Sequence, residues 1–174
     1  MRDHEPAGYD GMKRHPYAMF AINMVLSLIV MYFVMFSMID GWNDFRNNFN
    51  MLYMALTMVA PMGIIMLTTM GHMYSNKRLN TGICLILVIL FAAAFAGTRS
   101  QAFIGNRQFI ASMVPHHSGA ILMCREASLG DPELVRLCSD ISQSQRREIE
   151  QMNAIEARLA RQLPDRERTE PLLA

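Results

Sequence analysis

Apolar positions along this chain gather in three unbroken blocks, and only beyond them does a mixed, helically periodic pattern begin. The first block runs from Tyr17 to Ile39 and the second from Phe49 to Met70, neither with a charged residue. The third, Thr81 to Gly97, is shorter and rich in Ile, Leu, Phe and Ala. A helix needs roughly 17–25 such residues to cross the hydrocarbon core. The pattern therefore predicts three transmembrane helices, about 17–39, 49–70 and 81–97, filling a membrane region over 17–98 behind a tail at 1–16. Lys13 and Arg14 precede the first block as in a signal peptide, but the block is long for one. The following Ser37-Met38-Ile39-Asp40-Gly41-Trp42 offers no small-x-small cleavage site, so the block reads as an anchor.

From Arg99 to Leu129 the apolar residues change to a helical rhythm, with Phe103, Ile110, Met113, His117, Ala120 and Cys124 three, four and seven apart. Gly130-Asp131-Pro132-Glu133 is then a stop-and-restart signal: Gly for a helix C′ position, Asp as N-cap, Pro at the first helical position, Glu at the positive helix end. A second helix continues through Leu134, Cys138, Ile141, Gln145, Met152, Ile155 and Leu159. A turn this short predicts an antiparallel hairpin over 99–163. Its register sets Cys124 against Cys138, His117 against Gln145, and Met113 against Ile149 and Glu148. The charged, Pro-containing 164–174 reads as a frayed tail. The fold class expected is all-α, three membrane helices followed by an extramembrane helical hairpin. Two helices cannot bury both their faces alone. The hairpin is therefore expected to lie on the membrane part or to pair with a second copy, as a homodimer or higher homo-oligomer building a four-helix bundle.

Charge sets the orientation. Arg2, Lys13 and Arg14 lie before the first span, and Lys77 and Arg78 between the second and third. Arg46, Arg99 and Arg107 lie on the other side. The positive-inside rule then places the N-terminus in the cytoplasm and the hairpin in the periplasm, in a bacterial inner membrane. Tyr17, Trp42 and Tyr53 stand near span ends, as interfacial aromatics do. The formal net charge of +1, with no basic cluster, gives no case for a nucleic-acid partner.

Candidate chemistry concentrates in Met113-Val-Pro-His116-His117-Ser-Gly-Ala-Ile-Leu-Met123-Cys124. Met113, His117 and Cys124 share one helical face, and His116 and Met123 the neighbouring ridge. Thioether, imidazole and thiolate together form a soft donor set, the kind that selects Cu(I); zinc is less favoured, because its sites rarely use Met. Met152 offers a further donor from the second helix, although a single Met at a seam position is commonly packing. Cys124 and Cys138 admit three readings: a disulfide, copper thiolates, or small buried residues. Cys84, inside the third span, reads as inert.

Methionine is the compositional anomaly, with 12 of 17 residues between Met19 and Met73. Met54, Met58, Met62, Met66 and Met70, with Met73 beyond them, form a continuous stripe along one face of the second span. Met24, Met31, Met35 and Met38 share a face of the first, within about 60° on the helical wheel. Such stripes suit either a relay for soft cations or flexible packing on a helix–helix seam. Packing is favoured, because no charged residue accompanies the stripe inside the spans. Pro61 within the stripe deprives the Thr57 carbonyl of its helical donor, and His72 sits at the cytoplasmic end as a ligand or an interfacial residue. Neither a Glu-x-x-His pair nor a phosphate loop, nucleophile elbow or His-Glu-x-x-His is present, which leaves no case for an enzyme.

The stretch F-I-A-S-M-V-P-H-H-S-G-A-I-L-M-C, followed by S-Q-R-R-E-I-E-Q-M, resembles the bacterial domain of unknown function 305 family over about residues 99–160. The upstream Y-M-A-L-T-M-V-A-P-M-G and H-M-Y-S-N-K-R-L-N look like its membrane-anchored branch. The resemblance implies a ferritin-like helical fold and an association with copper in the periplasm. It points to Met113, His116, His117, Met123 and Met152 as ligands. Soluble relatives supply two hairpins from one chain and this chain one, which again suggests dimerisation. Cys124 and Cys138 belong to the anchored pattern. The function expected is a membrane-anchored copper-binding protein that buffers the ion or exchanges it with a donor or acceptor protein. The alternatives are a structural or partner-binding membrane protein without metal, and a small soft-metal transporter using the Met stripes.

Overall fold

A computed structural model describes residues 16–162, whose regular elements are all helical, with no strand among them. Five α-helices follow one another: α1 (Pro16–Val34), α2 (Phe49–Thr69), α3 (Lys77–Ser100), α4 (Asn106–Glu126) and α5 (Pro132–Gln162), with short 3₁₀ turns at Met35–Met38 and Trp42–Asp44. Among the described residues the chain divides into two compact units. One holds 16–35 and 50–102, the other 36–49 and 103–162.

Three helices are long and apolar enough to cross a membrane: Pro16–Met38, Phe49–Thr69 and Lys77–Ser100. The third, expected to be the shortest, has 24 residues and is the longest. Its polar first and last turns, with Lys77, Arg78, Arg99 and Ser100, extend the helix beyond the charge-free run. Asn76 caps its start, accepting from the Leu79 N–H at 3.1 Å. Most of the apolar surface stays outside, with Val30, Ile86 and Ile89 more than half exposed, as a lipid solvent requires.

α2 is the most buried of the three spans, through Ala55, Val59, Ala60, Gly63 and Leu67. A Cβ on Gly63 would stand 2.8 Å from Met24 Cε and 2.9 Å from Leu87 Cδ1, so α1 and α3 both close on α2 at this residue. Phe20, Ala60, Leu67, Tyr74 and Leu87 form the core, flanked by Met24, Met66 and Cys84. Polar side chains tie both ends of the unit. The Tyr17 hydroxyl donates to Asn80 Oδ1 (2.9 Å) and accepts from the Asn76 N–H (3.1 Å). At the other end the Tyr53 hydroxyl donates to the Ala102 carbonyl (2.9 Å), and Asn50 donates to Gln101 (3.0 Å).

The second unit contains α4, α5 and the segment 36–49 that joins the first two spans. α4 starts at Asn106, seven residues later than the sequence suggests, because α3 runs on to Ser100 and the chain then turns with Gln101 and Phe103 at φ 51° and 59°. The stop-and-restart signal works in part. Asp131 Oδ1 accepts from the N–H groups of Glu133 (2.9 Å) and Leu134 (3.0 Å), and Pro132 is the first residue of α5. Gly130 is not a C′ residue, because α4 ends at Glu126 with Ala127 as its cap and no glycine among the described residues takes positive φ. α4 and α5 are cross-linked by the disulfide Cys124–Cys138, with Cα atoms 5.2 Å apart.

Candidate metal centre

The face of α4 turned away from α5 is covered by the segment 36–49, and the chemistry of that cover explains much of the Pro-His-His-Ser-Gly motif. Pro115 has no N–H, so the Ala111 carbonyl lacks its donor four residues on. The Asn48 side-chain amide supplies one at 3.2 Å, from a residue only 5% exposed. Ser118, fully buried, accepts from the Asp40 N–H at 2.7 Å and donates to Asp44 Oδ2 at 2.5 Å. Gly119 leaves room for the Met38 carbonyl, which a Cβ there would meet at 3.1 Å. Arg46 reaches α5, pairing with Glu156 and donating to Asn153 Oδ1 at 2.7 Å. Arg125 pairs with Asp40 and Glu126, and its guanidinium is held above its ordinary pKa, first by the Glu126 hydrogen bond and then by the charges of both carboxylates. Ring packing of Phe36 on Phe45, centroids 4.3 Å apart, closes the segment on itself. In the sequence Asp40, Asp44 and Arg46 counted only as loop charges; nothing in the local pattern marks them as the cover of α4.

On the α5 side the donors separate into two groups. His117 is mostly buried, its side chain 12% exposed, with Nδ1 3.0 Å from Glu148 Oε2. Met113 lies one turn before His117 on α4, and Met152 one turn after Glu148 on α5. The register fixed by His117 and Glu148 therefore sets Met113 opposite Met152, and both are half-buried. His116 is exposed, as is Met123 at 60%. The rings of His116 and His117 lie 6.3 Å apart, edge to face. One imidazole belongs to the seam and the other to its rim.

Of the three readings of Cys124 and Cys138, the disulfide is the one present. It removes both as copper thiolates, because a sulfur bonded to sulfur has no thiolate lone pair to give. The pair also sits in the expected register, whereas the partner of His117 is Glu148 rather than Gln145, about one turn further along α5. Among the described residues no three His, Cys, Asp or Glu side chains form a group able to hold a metal ion. A metal on this seam therefore depends on thioether sulfur. His117 and the two half-buried Met residues fit a soft monovalent ion in chemistry, since imidazole and thioether are the donor types such an ion selects.

The in-membrane stripe is divided between the helix surface and its flank. Met54 and Met58 are 44% and 50% exposed and Met70 is 37% exposed, while Met62 and Met66 are half-buried. The buried seam of α2 is Ala55, Val59, Gly63 and Leu67, each one residue on from a member of the stripe. The helices close at Gly63, where Met24 of α1 packs, and Met66 is the stripe residue that flanks the core.

These features define an all-helical protein with three membrane-length apolar helices and a disulfide-linked, loop-covered helix pair. A family model described as Domain of unknown function (DUF305) matches residues 93–156, from within α3 to within α5. Uncharacterized protein L153 of Acanthamoeba polyphaga mimivirus is 35% identical over 143 residues, covering 76% of this chain and 91% of that protein. The chain belongs to the DUF305 family. No solved structure matches it.

Proposed function

We propose that this protein binds a soft metal ion, Cu(I) in preference to zinc, on the seam between α4 and α5, and buffers it or passes it to a donor or acceptor protein. The observation that carries this reading is the setting of His117. A largely buried imidazole, its Nδ1 beside Glu148 and its Nε2 making no hydrogen bond among the described residues, stands one turn from half-buried Met113 on α4, and half-buried Met152 lies one turn from Glu148 on α5. Neutral Met and His donors suit exchange of a monovalent ion, and exposed His116 and Met123 offer a rim for handover.

Titration with Cu(I) against a competing chelator tests it. Wild-type protein is expected to hold the ion more tightly than a Met113→Leu/His117→Ala/Met152→Leu variant, and equal competition by both sinks the proposal. That result would favour a structural or partner-binding role, which the docking functions of Pro115, Ser118 and Gly119 already support. A transport role is disfavoured by the exposure of Met54 and Met58. Replacing Met58, Met62 and Met66 with Leu is expected to leave copper flux into proteoliposomes unchanged.

The proposed orientation places the second unit on the oxidising, periplasmic side. A disulfide persists in such a compartment, and Lys77 and Arg78 lie in the opposite loop. Homodimerisation is proposed through α5, whose Leu134, Val135 and Leu137 are about half exposed although the first loop already covers α4. A monomeric mass in nanodiscs across a wide concentration range would count against it.

A further inference from the structure

His117 Nδ1 is buried, yet makes no hydrogen bond among the described residues. The atom placed to serve it is Glu148 Oε2, 3.0 Å away but out of line with the ring N–H. A small rotation of either side chain closes that bond, since the separation is already that of an N–H···O contact. The carboxylate is itself held. Its other oxygen, Oε1, accepts from the Ser144 hydroxyl at 2.7 Å, one turn earlier on α5.

We propose that Glu148, gripped by Ser144, is the positioning residue of His117. An ionised carboxylate only accepts, so the ring proton is fixed on Nδ1 and Nε2 keeps its lone pair for a soft cation. Nε2 makes no hydrogen bond among the described residues, and it is Nδ1 that is shut away from water. The arrangement orders the functions from the inside outward: Ser144 holds Glu148, Glu148 orients the ring, and the ring presents Nε2. Sequence spacing offers Glu148 only as a neighbour of Met113. Its role depends on the register shift of about one turn that brings it to His117 in place of Gln145.

This inference deepens the metal-binding reading and rests on it, but its central observable needs no metal. Long-range ¹⁵N–¹H spectra of the metal-free full chain in nanodiscs, histidine-labelled and mildly alkaline, report which nitrogen of His117 carries the proton. The Nδ1–H tautomer is expected in wild type. Glu148→Gln, which retains an acceptor, is expected to keep it, and Glu148→Leu to shift His117 toward the Nε2–H form. The Leu variant is also expected to hold Cu(I) about tenfold more weakly in chelator competition, the lower end of the usual outer-ligand effect. Ser144→Ala, which leaves the carboxylate in place, gives a smaller change in both readouts, and helicity with an intact Cys124–Cys138 bond confirms folding of each variant. An Nε2–H tautomer in wild type, or one unmoved by Glu148→Leu, overturns the proposal. Failure to bind Cu(I) with the expected tautomer pattern intact overturns the copper reading alone.

Discussion

Asn48 and Pro115 act as one device although they stand far apart in sequence. A proline within a helix normally leaves a carbonyl exposed or bends the axis. Here the Ala111 carbonyl takes its hydrogen from a side chain 63 residues away, and that bond helps seat the first loop on α4. Asn48→Ala is expected to destabilise the second unit by roughly 1–3 kcal/mol, the cost of a buried polar group left without a partner. Pro115→Ala returns an N–H to the helix for the same carbonyl, so the Asn48 substitution should cost clearly less in that background. Denaturation of all four proteins in detergent, taken as a double-mutant cycle, measures this coupling, and strict additivity would show that the amide does not serve that carbonyl. The motif around His116 and His117 stands out in the sequence because its donor types are unusual together. The docking roles of its Pro, Ser and Gly do not, because their partners lie in a loop whose own pattern looks like a solvated connection.

At the scale of helices, the apolar blocks showed that spans exist and roughly where, since length and absence of charge suffice for that. They did not show which face of α2 packs. Periodicity in Met is conspicuous because Met is rare, whereas Ala55, Val59, Gly63 and Leu67 repeat with the same period and vary in type. Close approach in lipid favours small side chains, and the seam follows that rule at Ala55 and Gly63. Gly63→Ile is therefore expected to destabilise the membrane unit by about 1–3 kcal/mol, as overpacking does. Gly63→Ala should cost less, since the atoms it meets are the flexible ends of Met24 and Leu87. Met58→Leu, at a position half exposed on the helix surface, should be near neutral. Unfolding of the three variants in mixed micelles with increasing SDS gives the order, and a Met58→Leu cost equal to that of Gly63→Ile would return the stripe to the seam. The Cys124–Cys138 pairing and the Asp131 cap were legible because both depend on spacing across one short turn. The ends of α3 are not legible because its charged first and last turns look like flanking loop, and the start of α4 is misplaced because Arg99 and Ser100 belong to α3.

For the whole molecule, an odd number of spans carries a constraint that the second unit makes testable. The first loop and the α4–α5 pair are separated by two further spans, so they share a compartment only if α2 and α3 both cross or neither does. Their contacts require that they share it: Ser118 binds Asp40 and Asp44, Asn48 binds Ala111, and Arg46 pairs with Glu156. With Cys84→Ser as background, a cysteine at Trp42, which is 88% exposed, and one at exposed Gln143 of α5 are expected to react with an impermeant maleimide from the same side. A cysteine at exposed Ser75, in the turn between α2 and α3, should react only after the membrane is opened. The protected side should be the cytoplasmic one, since Lys77 and Arg78 follow directly and the disulfide belongs to the oxidising side. Labelling of positions 42 and 143 from opposite sides would break the loop–helix contacts and the three-span path together. Labelling of all three from the cytoplasmic side would instead mean that α2 and α3 do not cross, leaving the apolar surface of α3 to find another solvent.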